Sequence, residues 1–397
     1  MKKPFFIKPL EHLSNQELAL YFMCMAIFLP FYLFLTLFAL YMLLLLVTGK
    51  LKRVILSLKE NPMLCIFIAY ATLLSLLAGN WVGVLVCVFF LLYFIFFKYY
   101  QRIITPKLFH LIVQTLLLLS LVAVCMAFLE HFEYIKKFNY SFVSTMWRVT
   151  YHQNRAEATF FNPNYYGICC CFFIMIGGYY FYTAKQWRWR LLAILSCIAN
   201  AVALNLTQSR TAFLAVFCGI LVYVFTTIKN SKAFLITIAA LMVVVALLFT
   251  SDLAHRMLTV GDSFHVRVSI WEAALELARA NPLFGDGPMS YLFLHDSIGA
   301  PYHEHAHNLY IDTYLNYGYV GIGILFATLI QPIRSLFTLS KHLDYRPIVG
   351  LIGSFVAVVL AHGIFDLAIL WVQSAFIFLL VFASLSMWTK QLTKNKE

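Results

Sequence analysis

Apolar residues along this chain come in unbroken blocks of about 17 to 25, separated by shorter polar intervals, and about 20 such residues in a helix cross a hydrocarbon core of ~30 Å. Alternating segments of about 10 residues, which would mark a membrane β-barrel, do not occur. The pattern predicts an all-α, polytopic membrane protein. Candidate spans are residues 63–78, 81–97, 108–130, 159–182, 189–206, 211–228, 233–250, 308–330, 347–365 and 367–388. Residues 18–47 are apolar throughout and fit either one tilted helix or a hairpin of two short ones broken near Pro30.

Charge decides between these two readings. The composition is 62% hydrophobic and only 12% charged, with a net charge of +12 that follows topology rather than nucleic-acid binding. With a hairpin at 18–47 the chain has about twelve transmembrane helices, both termini are cytoplasmic, and 21 of the 29 Lys and Arg residues lie inside. A single helix there would set the basic N-terminal tail and the Lys50, Lys52, Arg53 and Lys59 cluster on opposite faces. The tail has no cleavage site after a brief apolar region, so it does not read as a removable signal peptide. Residues 1–397 then form a single integral membrane domain, with long outer loops at 131–158 and 251–306, the second carrying a short amphipathic helix. Arg148, Arg155, Arg210, Arg267 and Arg279 fall outside, against the usual bias, and call for an anion or for pairing with Glu133, Glu157, Asp262 or Glu272. All nine cysteines lie within predicted spans, which excludes a disulfide scaffold in the outer loops.

Three patterns carry chemistry. In Thr207-Gln208-Ser209-Arg210-Thr211 an arginine sits at the edge of a span, where it is costly without an anion or headgroup phosphate. Arg267 and Trp271 are four apart and share one face of an amphipathic helix, which Asn281-Pro282 ends and which Gly285 and Gly287 allow to turn back sharply. In His303-Glu304-His305-Ala306-His307-Asn308 the spacing of two invites a metal cage on a strand, but a helix starting here groups His303 with His307 and sets His305 roughly opposite. One working histidine, acting as general base on a sugar hydroxyl, fits the helical sequence downstream better than a cage.

The string SRTAFLA from Ser209, the Arg267/Trp271 pair followed by NPLFGDG, HAHNLYIDTYLNYGYVGIG from His305 and the Asn162-Pro163-Asn164 element together resemble the bacterial O-antigen ligase and polymerase superfamily of membrane glycosyltransferases. The resemblance implies an all-helical, multi-spanning (GT-C-like) glycosyltransferase at the outer face of the cytoplasmic membrane. It implies transfer of a glycan from an undecaprenyl diphosphate carrier to the hydroxyl of a glycan or lipid-linked acceptor, inverting, with neither cofactor nor metal. By position it implies that Arg210 and Arg267 hold the diphosphate and that His307 is the base. Trp271, His305, Asn308 and the late acidic residue Asp366 complete the expected substrate contacts. The expected partners are these substrates and membrane lipids, with no nucleic acid. Ligase, meaning single transfer as in lipopolysaccharide assembly, is the expected reading, and a polysaccharide polymerase, which shares these motifs, is the alternative. A flippase that only binds the diphosphate is a further reading. Against it, the span interiors hold almost no ionisable residues.

Overall fold

The computed structural model describes residues 10–131, 155–230, scattered positions of 232–239 and 262–395, and all its regular structure there is helical. The helices are α1 (Asn15–Met25), α2 (Phe31–Val47), α3 (Lys50–Leu56), α4 (Pro62–Leu77), α5 (Trp81–Ile103), α6 (Pro106–His131), α7 (Pro163–Thr183), α8 (Trp187–Thr207) and α9 (Arg210–Thr227). They continue with α10 (Asp262–Ala280), α11 (Ser290–Leu294), α12 (Leu309–Ser340), α13 (Arg346–His362), α14 (Val372–Phe382) and α15 (Leu385–Lys394). The protein is a polytopic all-α membrane protein, as its apolar blocks predict.

The expected twelve spans are corrected. Among the described residues eight helices are long and apolar enough to cross a membrane, or nine if Phe31–Val47 and Lys50–Glu60, bent by 90°, count as one. The hairpin does break at Pro30, but its arms, α1 of 11 and α2 of 17 residues, rise only about 17 and 26 Å. At 16 residues α4 is also short, rising about 24 Å. Most of the expected span 233–250 lies outside the described residues, as does most of the outer loop 131–158. Apolarity alone made the three described segments look like spans; their lengths, set by helix breakers, do not bear that out. The charge count that favoured the hairpin rested on twelve crossings and falls with them.

Elsewhere capping residues set the boundaries. Ser14 and Glu17 form a reciprocal capping box that starts α1, and Asn80 caps α5 by accepting from the Gly83 N–H. The core is largely aromatic. The Phe376 ring has Phe34, Phe38, Tyr93, Phe96 and Phe97 around it, with centroids 5.1 to 6.3 Å away. The closest helix packing pairs α9 with α13 and α7 with α8. α10 lies against α12 over a small separate core of Ile270, Ala273, Ala274, Leu277, Ala278, Tyr291, Ala306 and Leu315.

One break matters for the site. Gly318 interrupts α12 with φ 58° and ψ −172°, backbone that only glycine adopts readily. The N–H groups that lose their helical acceptors there donate instead to the preceding loop, Tyr319 to Pro282 O at 3.0 Å and Val320 to Leu283 O at 3.0 Å. Tyr70 of α4 donates to Phe284 O and Tyr317 O and pins the junction. A Cβ on Gly318 would lie 2.4 Å from the Leu283 carbonyl carbon, so the NPLFGDG and NYGYVGIG strings are two halves of one backbone contact.

Candidate active site

The Asn162-Pro163-Asn164 element is a helix start. Asn162 accepts from the Asn164 N–H at 2.8 Å as N-cap of α7, and Pro163 takes the first helical position, where no N–H is needed. This frees the Asn164 side chain, which donates from Nδ2 to Asp366 Oδ2 at 2.6 Å. At the end of α8, Gln208 adopts a left-handed conformation (φ 52°) and reverses the chain, so Arg210 becomes the first residue of α9. Arg210 is exposed at this helix N-terminus, where the cation adds to the positive end of the helix dipole and suits an anion. Next to it, the Thr211 hydroxyl lies 3.3 Å from His362 Nε2 at the end of α13.

His303, His305 and His307 lie in the loop before α12, not on the helix expected there. Asn308 is the N-cap, accepting from the Tyr310 and Ile311 N–H groups at 2.9 and 3.0 Å, so helical phasing starts only at Leu309. The three rings therefore converge. The His307 ring centroid is 4.4 Å from that of His305 and 5.2 Å from that of His303. His307 holds a left-handed backbone (φ 49°). Its N–H donates to His305 Nδ1, and its carbonyl accepts from the Trp271 indole at 3.4 Å. Backbone pairing brings the next partner in: Leu309 N–H donates to Gly363 O at 2.7 Å and Asn308 Nδ2 to Ile364 O at 2.8 Å.

This pairing sets buried Asp366 beside His307, with Oδ1 3.3 Å from Nδ1. Oδ1 also accepts from the Leu367 N–H at 2.8 Å. Burial raises the Asp366 carboxyl, but the His307 hydrogen bond and the imidazoles of His305, His307 and His362 outweigh it and hold the group well below the usual carboxylate range. A carboxylate only accepts, so in the neutral His307 ring the proton sits on Nδ1 and the lone pair on Nε2. His305 is pushed down to about 4, first by burial and then by His307, and stays neutral.

Of the residues expected from sequence, His305, His307 and Asp366 meet directly, and Trp271 braces the His307 carbonyl. Arg267 lies one turn before Trp271 on α10. Asn308 spends its amide on the cap and on Ile364, which leaves it a structural part in the loop. In the sequence Arg155 stands out only as an outer arginine against the usual bias. It is part of the site: Nε donates to Thr207 O at 2.8 Å and a terminal nitrogen to Asn164 Oδ1 at 2.8 Å. Burial, and then the charge of Arg267, push its guanidinium below the ordinary value, which makes the two arginines electrostatic neighbours. The signal available was its place nine residues before Asn164, at the mouth of the same helix.

His305, His307 and Asp366 each offer a ligand atom, all within 4.8 Å of one another, a grouping different from the three-histidine cage that the sequence disfavours. Asp366 already takes donors on both oxygens, and His307 Nδ1 faces one of them, so two of the three groups are engaged with each other. Residues 191–326 match the family model described as O-antigen ligase, and this supports assigning the chain to the O-antigen ligase/polymerase superfamily. No curated protein matches the chain.

Proposed function

We propose that this member of the O-antigen ligase/polymerase superfamily transfers a glycan from a polyprenyl diphosphate carrier, undecaprenyl diphosphate in bacteria, to an acceptor hydroxyl at the outer face of the cytoplasmic membrane. The observation that carries the reading is the Asp366–His307 pair, which leaves His307 Nε2 as a base on a rim that Arg155 and Arg267 share, with Arg210 next to Thr211, whose hydroxyl meets His362. Nε2 takes the acceptor hydroxyl's proton as its oxygen attacks the anomeric carbon, and Asp366 offsets the imidazolium that forms. The bond to the diphosphate oxygen breaks on the opposite face, which inverts the anomeric centre. Arg210 and Arg267 meet the charge that grows on the leaving group, with bidentate donors in place of a divalent ion. The apolar spans accommodate the polyprenyl tail.

Donor binding and transfer by the purified protein separate the roles. His307→Ala should bind carrier-linked glycan nearly as the wild type does while transfer falls ~10²- to 10⁴-fold. Arg210→Ala and Arg267→Ala should lose both binding and rate, and Arg→Lys should restore them only in part, since a point charge replaces a fork. Near-native turnover in His307→Ala, or donor binding lost as severely as in the arginine variants, would remove the base.

A further inference from the structure

We infer that Arg155 and Asn164 form a positioning pair that fixes Asp366, and through it His307, for proton transfer. This rests on the reading of His307 as base. A guanidinium only donates and a carboxylate only accepts, whereas an amide has one end of each kind. With Arg155 donating to Asn164 Oδ1 at 2.8 Å, Asn164 must turn Nδ2 to Asp366, which it meets at 2.6 Å. Asp366 then faces donors on every side: Asn164 on Oδ2, Leu367 N–H and His307 Nδ1 on Oδ1. Among the described residues its hydrogen-bond partners are all donors, which holds the group as an anion, in one rotamer, beside the imidazole.

Arg155 ties this arrangement to the donor side. Its Nε grips Thr207 O, three residues before Arg210, and the Ala156 N–H donates to Leu206 O at 2.9 Å. One guanidinium thus braces both the turn that presents Arg210 and the amide that orients Asp366. During transfer the proton moves from the acceptor hydroxyl to His307 Nε2 and stays there, while Arg155, Asn164 and Asp366 keep their protonation and the diphosphate leaves as an anion. The pair touches no reacting atom, so its effect is on rate through geometry.

The test uses the purified full-length protein with carrier-linked glycan. Asn164→Asp is isosteric and keeps the Arg155 contact, but it sets an acceptor against Asp366 where a donor stood. It should lower kcat ~10- to 100-fold, as loss of an orienting partner does. Donor affinity should stay within about threefold of wild type. Adding Asp366→Asn rebuilds the 164–366 hydrogen bond with its direction reversed, so the double variant should recover the wild-type melting temperature and not the rate. Three results would overturn the inference: wild-type kcat in Asn164→Asp, donor affinity lost as severely as in Arg267→Ala, or kcat restored by the exchange, which would leave the bond a purely structural one. Should His307→Ala keep its turnover, the base assignment fails instead, whatever Asn164 does.

Discussion

Asp366 Oδ1 stands 3.3 Å from His307 Nδ1 across 59 residues of sequence. The approach is built by backbone, because Asn308 and Leu309 bind the carbonyls of Ile364 and Gly363. It also requires His307 to hold φ 49°, a conformation that costs a non-glycine residue about 1–3 kcal/mol and persists only where its surroundings impose it. Ala158, Phe161 and Gln208, on the other segments entering the site, also have positive φ. Strain therefore gathers where the proposed chemistry lies.

Metal chelation separates the base from a metal centre. Transfer by purified protein should survive EDTA, since two arginines serve the leaving group and His307 faces a carboxylate. Activity lost on chelation and restored by one divalent ion would turn His305, His307 and Asp366 into its ligands.

Stability should fall as pH drops from about 6.5 to about 4. The folded His305 is pushed down to about 4 from 6.5, mainly by burial, so between these values the unfolded chain binds the extra proton and unfolding is favoured. Stability from this group is complete above 6.5 and lost towards 4; His303, lowered by burial, adds in the same direction. Asp366, held below the carboxylate range, extends the loss to still lower pH. Melting temperature against pH in detergent checks this, and His305→Asn should flatten the slope between 4 and 6.5. An unchanged slope would locate the sensitivity elsewhere.

Gly318→Ala should destabilise by about 1–3 kcal/mol from backbone strain alone, and further through its clash with the Leu283 carbonyl carbon. Gly323→Ala, where a Cβ meets nothing within 4 Å, should leave the melting temperature unchanged. Equal effects at both positions would dismiss the kink as a structural element.

What could be read from sequence was local. Hydropathy placed residues 81–97, 108–130, 189–206 and 211–228 close to α5, α6, α8 and α9, because each span fills its own apolar block. Arg210, Arg267 and His307 stood out as ionisable groups beside apolar runs. The histidine phasing was not, since one N-cap at Asn308 moves the start of the helix past them. Nor was the role of Arg155: its partners lie 52 residues away at Thr207 and, through Asn164, a further 202 residues away at Asp366, distances that no periodicity connects. The three described segments that were too short looked like spans because apolarity says nothing of where a helix breaks.

The strap of residues 282–283 against the Gly318 break bears on how the chain is made. Near a bilayer, backbone N–H groups released from a helix find no water to take up their bonds and depend on carbonyls supplied by the protein itself. Pro282 and Leu283 are synthesised before Tyr319 and Val320, so in biogenesis the acceptors leave the ribosome ahead of the donors they satisfy. Once translation reaches α12, its kink can close at insertion, without waiting for any later part of the chain.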